Sequence, residues 1–179
     1  GMYLLNGDSS DEVEQTTFSE LDKKERDIEE LLRKNINMVC EGEESMLIVG
    51  QQVRDVKNKR SDLTAIDNNG NIVLIEIKRD KKDIENRKEA FEFQAIRYAA
   101  SCATIEDTEE LIQDIFAPYV EHHKKEFSAY ENLTSTEIAH RVLDDFIQTN
   151  GIDDFNEWQR IILVASEFDD QTLSAVAWL

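Results

Sequence analysis

Three residues near the middle of the chain have types and positions that could do chemistry: Asp62, Glu76 and Lys78. Glu76 and Lys78 close the run Val73-Leu74-Ile75-Glu76-Ile77-Lys78, whose other members are apolar. Alternate side chains of a strand share a face, so Leu74, Glu76 and Lys78 point one way and Val73, Ile75 and Ile77 the other. A carboxylate and an ammonium at the end of so apolar a strand incur desolvation unless they are paired, metal-bound or placed at the sheet's open edge. Asp62 opens the preceding apolar run, and Asn68-Asn69-Gly70 between the two is a hairpin signal, because Asn and Gly tolerate positive φ. A tight hairpin lays the start of one strand beside the end of its partner, so Asp62 reaches the edge where Glu76 and Lys78 stand. The plainer reading is an ion pair at a strand end. A Glu-x-Lys triplet alone is expected about once by chance in this composition; the hairpin and the strand patterning around it carry the weight.

The elements that must hold this trio follow from periodicity. Residues 1–17 read as a mobile arm, since Asp8, Ser9, Ser10, Asp11, Glu12 and Glu14 leave almost nothing to bury. Residues 18–36 have the helix period, with Leu21, Glu25, Ile28 and Leu32 on one stripe, so Glu25 is the acid turned to the core and Glu29 its competitor. Strands are expected over Met46 to Val53, Ser61 to Asp67 and Asn71 to Lys78, and a helix over Asp83 to Ala103. Acidic helices continue towards residue 131, with a break near Pro118, the only proline. Thr134-Ser135-Thr136-Glu137 fits a capping box for a helix ending near Gly151. Arg160 to Ser166 reads as a strand and Asp170 to Leu179 as the start of a helix, which makes the chain look like a fragment of a longer protein. The order α-β-β-β-α-β predicts an α/β fold with a mixed central sheet flanked by helices, built as one domain over 18–179.

Composition bounds the function. At 179 residues, 40% hydrophobic and 33% charged, the chain suits one globular domain, and its longest apolar runs are far too short to cross a bilayer. No signal pattern is present, and Cys40 and Cys102 give neither CxxC spacing nor a disulfide framework, so the expected compartment is the cytoplasm. His122 and His123 are adjacent and would diverge on a helix; with His140 they are expected to be solvated. GxSxG, HExxH, Walker and GxGxxG patterns are absent, and no aromatic-basic interleaving suggests base stacking. The net charge of −19 opposes nucleic-acid binding, yet Arg54 to Lys88 holds ten basic residues against seven acids.

Asp62-Leu63-Thr64-Ala65-Ile66-Asp67, Gly70 and Ile75-Glu76-Ile77-Lys78-Arg79 together resemble the catalytic hairpin of PD-(D/E)XK nucleases, nearest to endonucleases of branched and mismatched DNA and related uncharacterised domains. Gln94-Ala95-Ile96-Arg97-Tyr98 resembles the QxxxY helix motif of many of these enzymes. The segment Glu25 to Leu32, followed by Asn35, resembles their first helix, which contributes a glutamate. Three features depart from the pattern: Gln51-Gln52 stands where Arg or Glu is often seen, Ser61 precedes Asp62, and the acidic helical stretch 104–157 is an insertion without a matching motif.

The resemblance implies a restriction-endonuclease-like core and a metal-dependent hydrolase of phosphodiesters, DNA more than RNA. Asp62, Glu76 and the Ile77 backbone carbonyl would hold Mg²⁺ or Mn²⁺, with Glu25 on the same or a second ion. Lys78 would orient water or offset phosphate charge, Gln94 and Tyr98 would position backbone or water, and Arg60, Arg79, Lys81 and Lys82 would contact phosphates. An additional domain or a homo-oligomer would supplement a modest nucleic-acid footprint. Two other classes stay open: a non-catalytic module that keeps the nuclease fold, and an acidic domain that docks a basic protein.

Overall fold

The chain opens in an exposed antiparallel hairpin, β1 (Met2–Asn6) paired with β2 (Ser9–Val13) through a turn at Gly7, φ +63°. This computed structural model describes residues 1–52, 62–79, 82, 85 and 91–168. The hairpin lies inside the segment expected to be an arm with nothing to bury, and both strands are exposed along their whole length. Asn6-Gly7 between Met2-Tyr3-Leu4-Leu5 and Val13 is the local signal that favours pairing there.

Helix α1 (Glu25–Lys34) is shorter than the expected 18–36. Its first turn carries Glu25 and Asp27 and its last turn Arg33 and Lys34, which opposes the helix dipole at both ends. The Lys24 N–H donates to the Asp27 carboxylate at 2.9 Å, satisfying one free amide at the helix start. Ile28 and Leu32 are buried as the stripe requires, but Leu21 lies before the helix and is 55% exposed. A 3₁₀ turn, Ile36–Val39, leads on to the sheet.

Strands β3 (Met46–Gln51), β4 (Leu63–Asp67) and β5 (Ile72–Ile77) form an antiparallel meander, and β6 (Arg160–Val164) joins β5 in parallel. The order β3-β4-β5-β6 makes a mixed sheet whose inner strands are buried at every position. Burial of both faces is why apolar side chains occupy both faces of these strands instead of alternating with exposed polar ones. The Asn68-Asn69-Gly70 turn is held by the Asp67 carboxylate, which accepts from the Asn69 and Asn71 amides at 3.0 and 2.9 Å. The parts of the expected strands at Val53 and Ser61 lie outside the described residues, as does the expected helix from Asp170.

Helix α2 (Phe91–Cys102) packs on β5 and β6. The expected helix began at Asp83; of residues 80–90, Lys82 and Glu85 are described and are helical. Helix α3 (Thr108–Leu111) runs through a π turn, Ile112–Phe116, into α4 (Ala117–His122), which packs on β3. No break occurs at Pro118. The proline sits in the first turn of α4, and the wider π turn before it accommodates the missing N–H and the ring. A 3₁₀ stretch, Lys124–Tyr130, precedes α5 (Ser135–Asn150), capped by Thr134 accepting from the Glu137 amide at 3.2 Å and ended by Gly151 at φ +61°. The loop after α5 is tied to the central hairpin: the Asn156 amide donates to the Gly70 carbonyl at 2.8 Å. Among the described residues no helix is long and apolar enough to cross a membrane.

Candidate functional site

Strand register brings the first pair together. Leu63 lies opposite Ile75, so one step further out Asp62 falls beside Glu76 on the same face. Asp62 is fixed there by the Ile77 peptide, whose N–H donates to its Oδ2 at 2.7 Å. Glu76 is fully buried, and Gln94 Nε2 of α2 donates to its Oε2 at 3.4 Å. Its Oε1 is buried with no hydrogen-bond partner among the described residues. Burial, with the neighbouring charges of Asp62 and Glu25 adding to it against Lys78, pushes the Glu76 carboxyl up to about 9. At neutral pH Glu76 therefore holds a proton that an added positive charge would displace.

Lys78 follows the strand, its backbone N–H donating to the Val164 carbonyl at 2.8 Å, and its Nζ donates to Glu25 Oε1 at 3.2 Å. Gln94 Nε2 also lies 3.4 Å from the Tyr98 hydroxyl, and the Tyr98 ring is buried. Asp62, Glu76, Lys78, Glu25, Gln94 and Tyr98, drawn from α1, α2 and both strands of the hairpin, thus meet at one place. Glu25 and Glu29 separate cleanly. Glu25 is half-exposed on Lys78, whereas Glu29 is buried one turn later, where Gln51 donates to it.

Glu29 belongs to a second polar cluster that sequence patterning did not reveal. Arg33, nearly fully buried, donates to Glu30, Glu126 and the Tyr119 hydroxyl. That contact holds the Glu30 carboxyl down at about 2 and lowers Glu126 as well. Gln51 donates to Glu29 and Glu30, and its Oε1 lies 2.8 Å from His123 Nε2. His123 was expected to be solvated; it is part-buried instead, its ring 4.6 Å from that of Tyr119, and burial lowers its pKa. His122 is exposed and His140 is half-exposed, 3.2 Å from Glu109. Glu29, Glu30, Arg33, Gln51, His123 and Glu126 line a cleft of about 550 Å³ between α1, β3 and α4. Their partners are far apart in sequence, and the one local hint was Gln51 itself. Because the hydrogen bonds of Arg33 and Gln51 close on one another, the cluster reads as a strut that fixes α1 to the edge strand.

Of the four basic residues expected on phosphate, Arg60 and Lys81 lie outside the described residues. Lys82 is exposed on a helical position, and Arg79 accepts at its carbonyl from the Ser166 amide at 3.2 Å. Among the described residues no three His, Cys, Asp or Glu side chains gather closely enough to hold an ion. A cation between Asp62 and Glu76 would draw its further ligands from backbone oxygen and water. The buried, unpartnered Glu76 oxygen beside a second carboxylate fits such an ion, since oxygen donors suit a hard divalent cation.

Comparison with protein-family models, with curated proteins and with solved structures returned no match. The functional reading therefore rests on the site's own residues.

Proposed function

We propose that the chain is a metal-dependent nuclease with a PD-(D/E)XK site on a restriction-endonuclease-like core, hydrolysing phosphodiester bonds, in DNA before RNA. Helices α3 to α5, within 104–157, are then an acidic insertion in that core. The observation that carries the reading is Glu76: a fully buried carboxyl with one oxygen unpartnered, beside Asp62 and in reach of Gln94. A hydrophobic residue would suit that position better unless the carboxylate had a use.

Asp62, Glu76 and the Ile77 carbonyl would hold Mg²⁺ or Mn²⁺, which supplies positive charge for the phosphate and lowers the pKa of bound water. The protein's own residues do the rest. The Ile77 amide orients the Asp62 carboxylate, and Gln94, backed by the Tyr98 hydroxyl, orients Glu76. Lys78 would set its ammonium towards the phosphoryl oxygens, on which negative charge builds, and Glu25 fixes its direction. Arg60, Arg79, Lys81 and Lys82 contact flanking phosphates.

A second reading is favoured by the net charge of −19: a non-catalytic binding module, or an acidic domain that docks a basic protein. Incubation with supercoiled plasmid and branched DNA in Mg²⁺, Mn²⁺ or EDTA separates the two. Nicking that requires the divalent ion supports the nuclease. Intact DNA under all conditions supports the second reading.

A further inference from the structure

Exposed apolar side chains concentrate on the N-terminal hairpin. Met2, Tyr3, Leu4 and Leu5 follow one another along β1, all exposed, Leu5 to 75%, and Val13 at the end of β2 is exposed as well. A single exposed leucine is ordinary; four large apolar residues in succession mark a surface that something covers. The hairpin is a sheet by itself, and among the described residues no third strand joins it. Two strands alone are marginal in water and need a third strand or a covered apolar face.

The two strands differ in kind. β1 carries no charge, whereas Asp8, Asp11, Glu12 and Glu14 lie on β2 and the residues flanking it. Leu4 stands opposite Asp11 and Tyr3 opposite Glu12, so both faces of the hairpin are apolar along β1 and mainly polar along β2. A strand apolar on both faces has the pattern of an inner strand, and one bearing charges that of a protected edge. Here the inner-type strand stands at an open edge.

The strand that fits that edge is β1 of a second copy. Antiparallel pairing about Leu4 sets Leu4 against its own copy and Tyr3 against Leu5 in both directions, as a two-fold contact requires. Charge selects the same arrangement. In the order β2-β1-β1-β2 the acidic strands of the two copies lie three strand spacings apart, about 14 Å, beyond the Debye length of about 8 Å at physiological salt. Pairing through β2 would bring Asp11 and Glu12 of both copies within one spacing of each other, and a basic strand from another protein would choose β2 for the same reason.

We infer that β1 is a dimerisation strand, through which two copies of this chain form one four-stranded antiparallel sheet. Five residues from each copy make a small interface, so the dimer forms reversibly. The charge of −19 on each copy opposes association, and salt strengthens it. The pairing does not depend on the nuclease reading.

Sedimentation velocity of the full chain across protein concentration, at low and high NaCl, reads the equilibrium. Wild type should pass from monomer to dimer with concentration, and further at high salt. Leu4→Lys, which sets two ammonium groups against one another at the two-fold axis, should weaken the dimer at least about ten-fold. Its melting temperature should match wild type, because Leu4 is exposed in the single chain. Under oxidation Leu4→Cys should cross-link well above the background from Cys40 and Cys102, and Asp11→Cys should not. A wild type that stays monomeric at every concentration and salt overturns the inference and leaves the β1 edge to a strand of another protein. A dimer unaffected by Leu4→Lys, or cross-linking at position 11 as strong as at position 4, overturns it as well.

Discussion

Lys78 places its ammonium 3.2 Å from the Glu25 carboxylate, joining the end of β5 to the first turn of α1 across a large gap in sequence. The contact decides between two glutamates one helical turn apart, because Glu29 turns instead to Gln51 in the Arg33 cluster.

Glu25→Gln should accordingly lower metal-dependent cleavage by about ten- to a hundred-fold, the usual cost of removing a group that orients a site residue. Glu29→Gln should leave the chemistry closer to wild type and cost about 1 kcal/mol of stability through a weakened buried hydrogen bond. Single-turnover rates and urea melts on both variants check the pair. Equal loss of rate in both would mean that α1 acts as a unit and that Glu25 has no separate part.

The Glu76 carboxyl, at about 9 in the folded chain against an ordinary 4.5, makes stability depend on pH with a definite sign. Between those values the folded state holds a proton that the unfolded state has released. The contribution is therefore complete below about pH 4.5 and lost as pH rises towards 9. In EDTA, the melting temperature of wild type should fall with pH across this window more steeply than that of Glu76→Gln. Parallel pH profiles for the two proteins would contradict the buried, protonated state of Glu76.

Arg33→Ala should destabilise the fold, because it leaves Glu30, Glu126 and the Tyr119 hydroxyl without their shared donor. Both glutamates reach solvent, so the cost is about 2 kcal/mol, less than for a pair buried on both sides. Denaturant melts measure it. An unchanged midpoint would mean that the cluster does not fasten α1 to β3.

Gly70 combines φ +85° with a carbonyl that accepts from Asn156, and a Cβ there would come within 2.3 Å of the Asp154 carbonyl oxygen. Gly70→Ala should thus cost about 3 kcal/mol, from strain and from displacement of the 152–156 loop. Gly7→Ala, in the exposed N-terminal turn with open space around the added methyl, should cost less. Thermal melts of the two variants give the comparison.

The sheet, and the meeting of the six residues expected at the site, were legible largely because their signals are local. Asn68-Asn69-Gly70 sets the hairpin, and alternation sets the shared face of Glu76 and Lys78; the helix period, which turned Glu25 to the core, misled, because Leu21 lies before α1 and it is Glu29 that is buried. Thr134 and Gly151 mark both ends of α5 by the same kind of short-range chemistry. What escaped depends on distant partners or on backbone adjustment. Arg33 meets Glu126, and Gln51 meets His123, only after α4 has packed on β3. Pro118 suggested a break that the π turn Ile112–Phe116 absorbs, and no residue type marks such a turn. The N-terminal hairpin had a local signal in Asn6-Gly7, but its polar composition outweighed it.

The most direct measurement of the central claim is single-turnover DNA cleavage in Mg²⁺ or Mn²⁺ by wild type and Lys78→Ala, with melting curves on the same preparations. On the nuclease proposal Lys78 would serve charge stabilisation, and its side chain keeps some contact with solvent, so the variant should melt near wild type and lose cleavage by at least about a hundred-fold. A folded Lys78→Ala that cleaves at the wild-type rate would contradict the site.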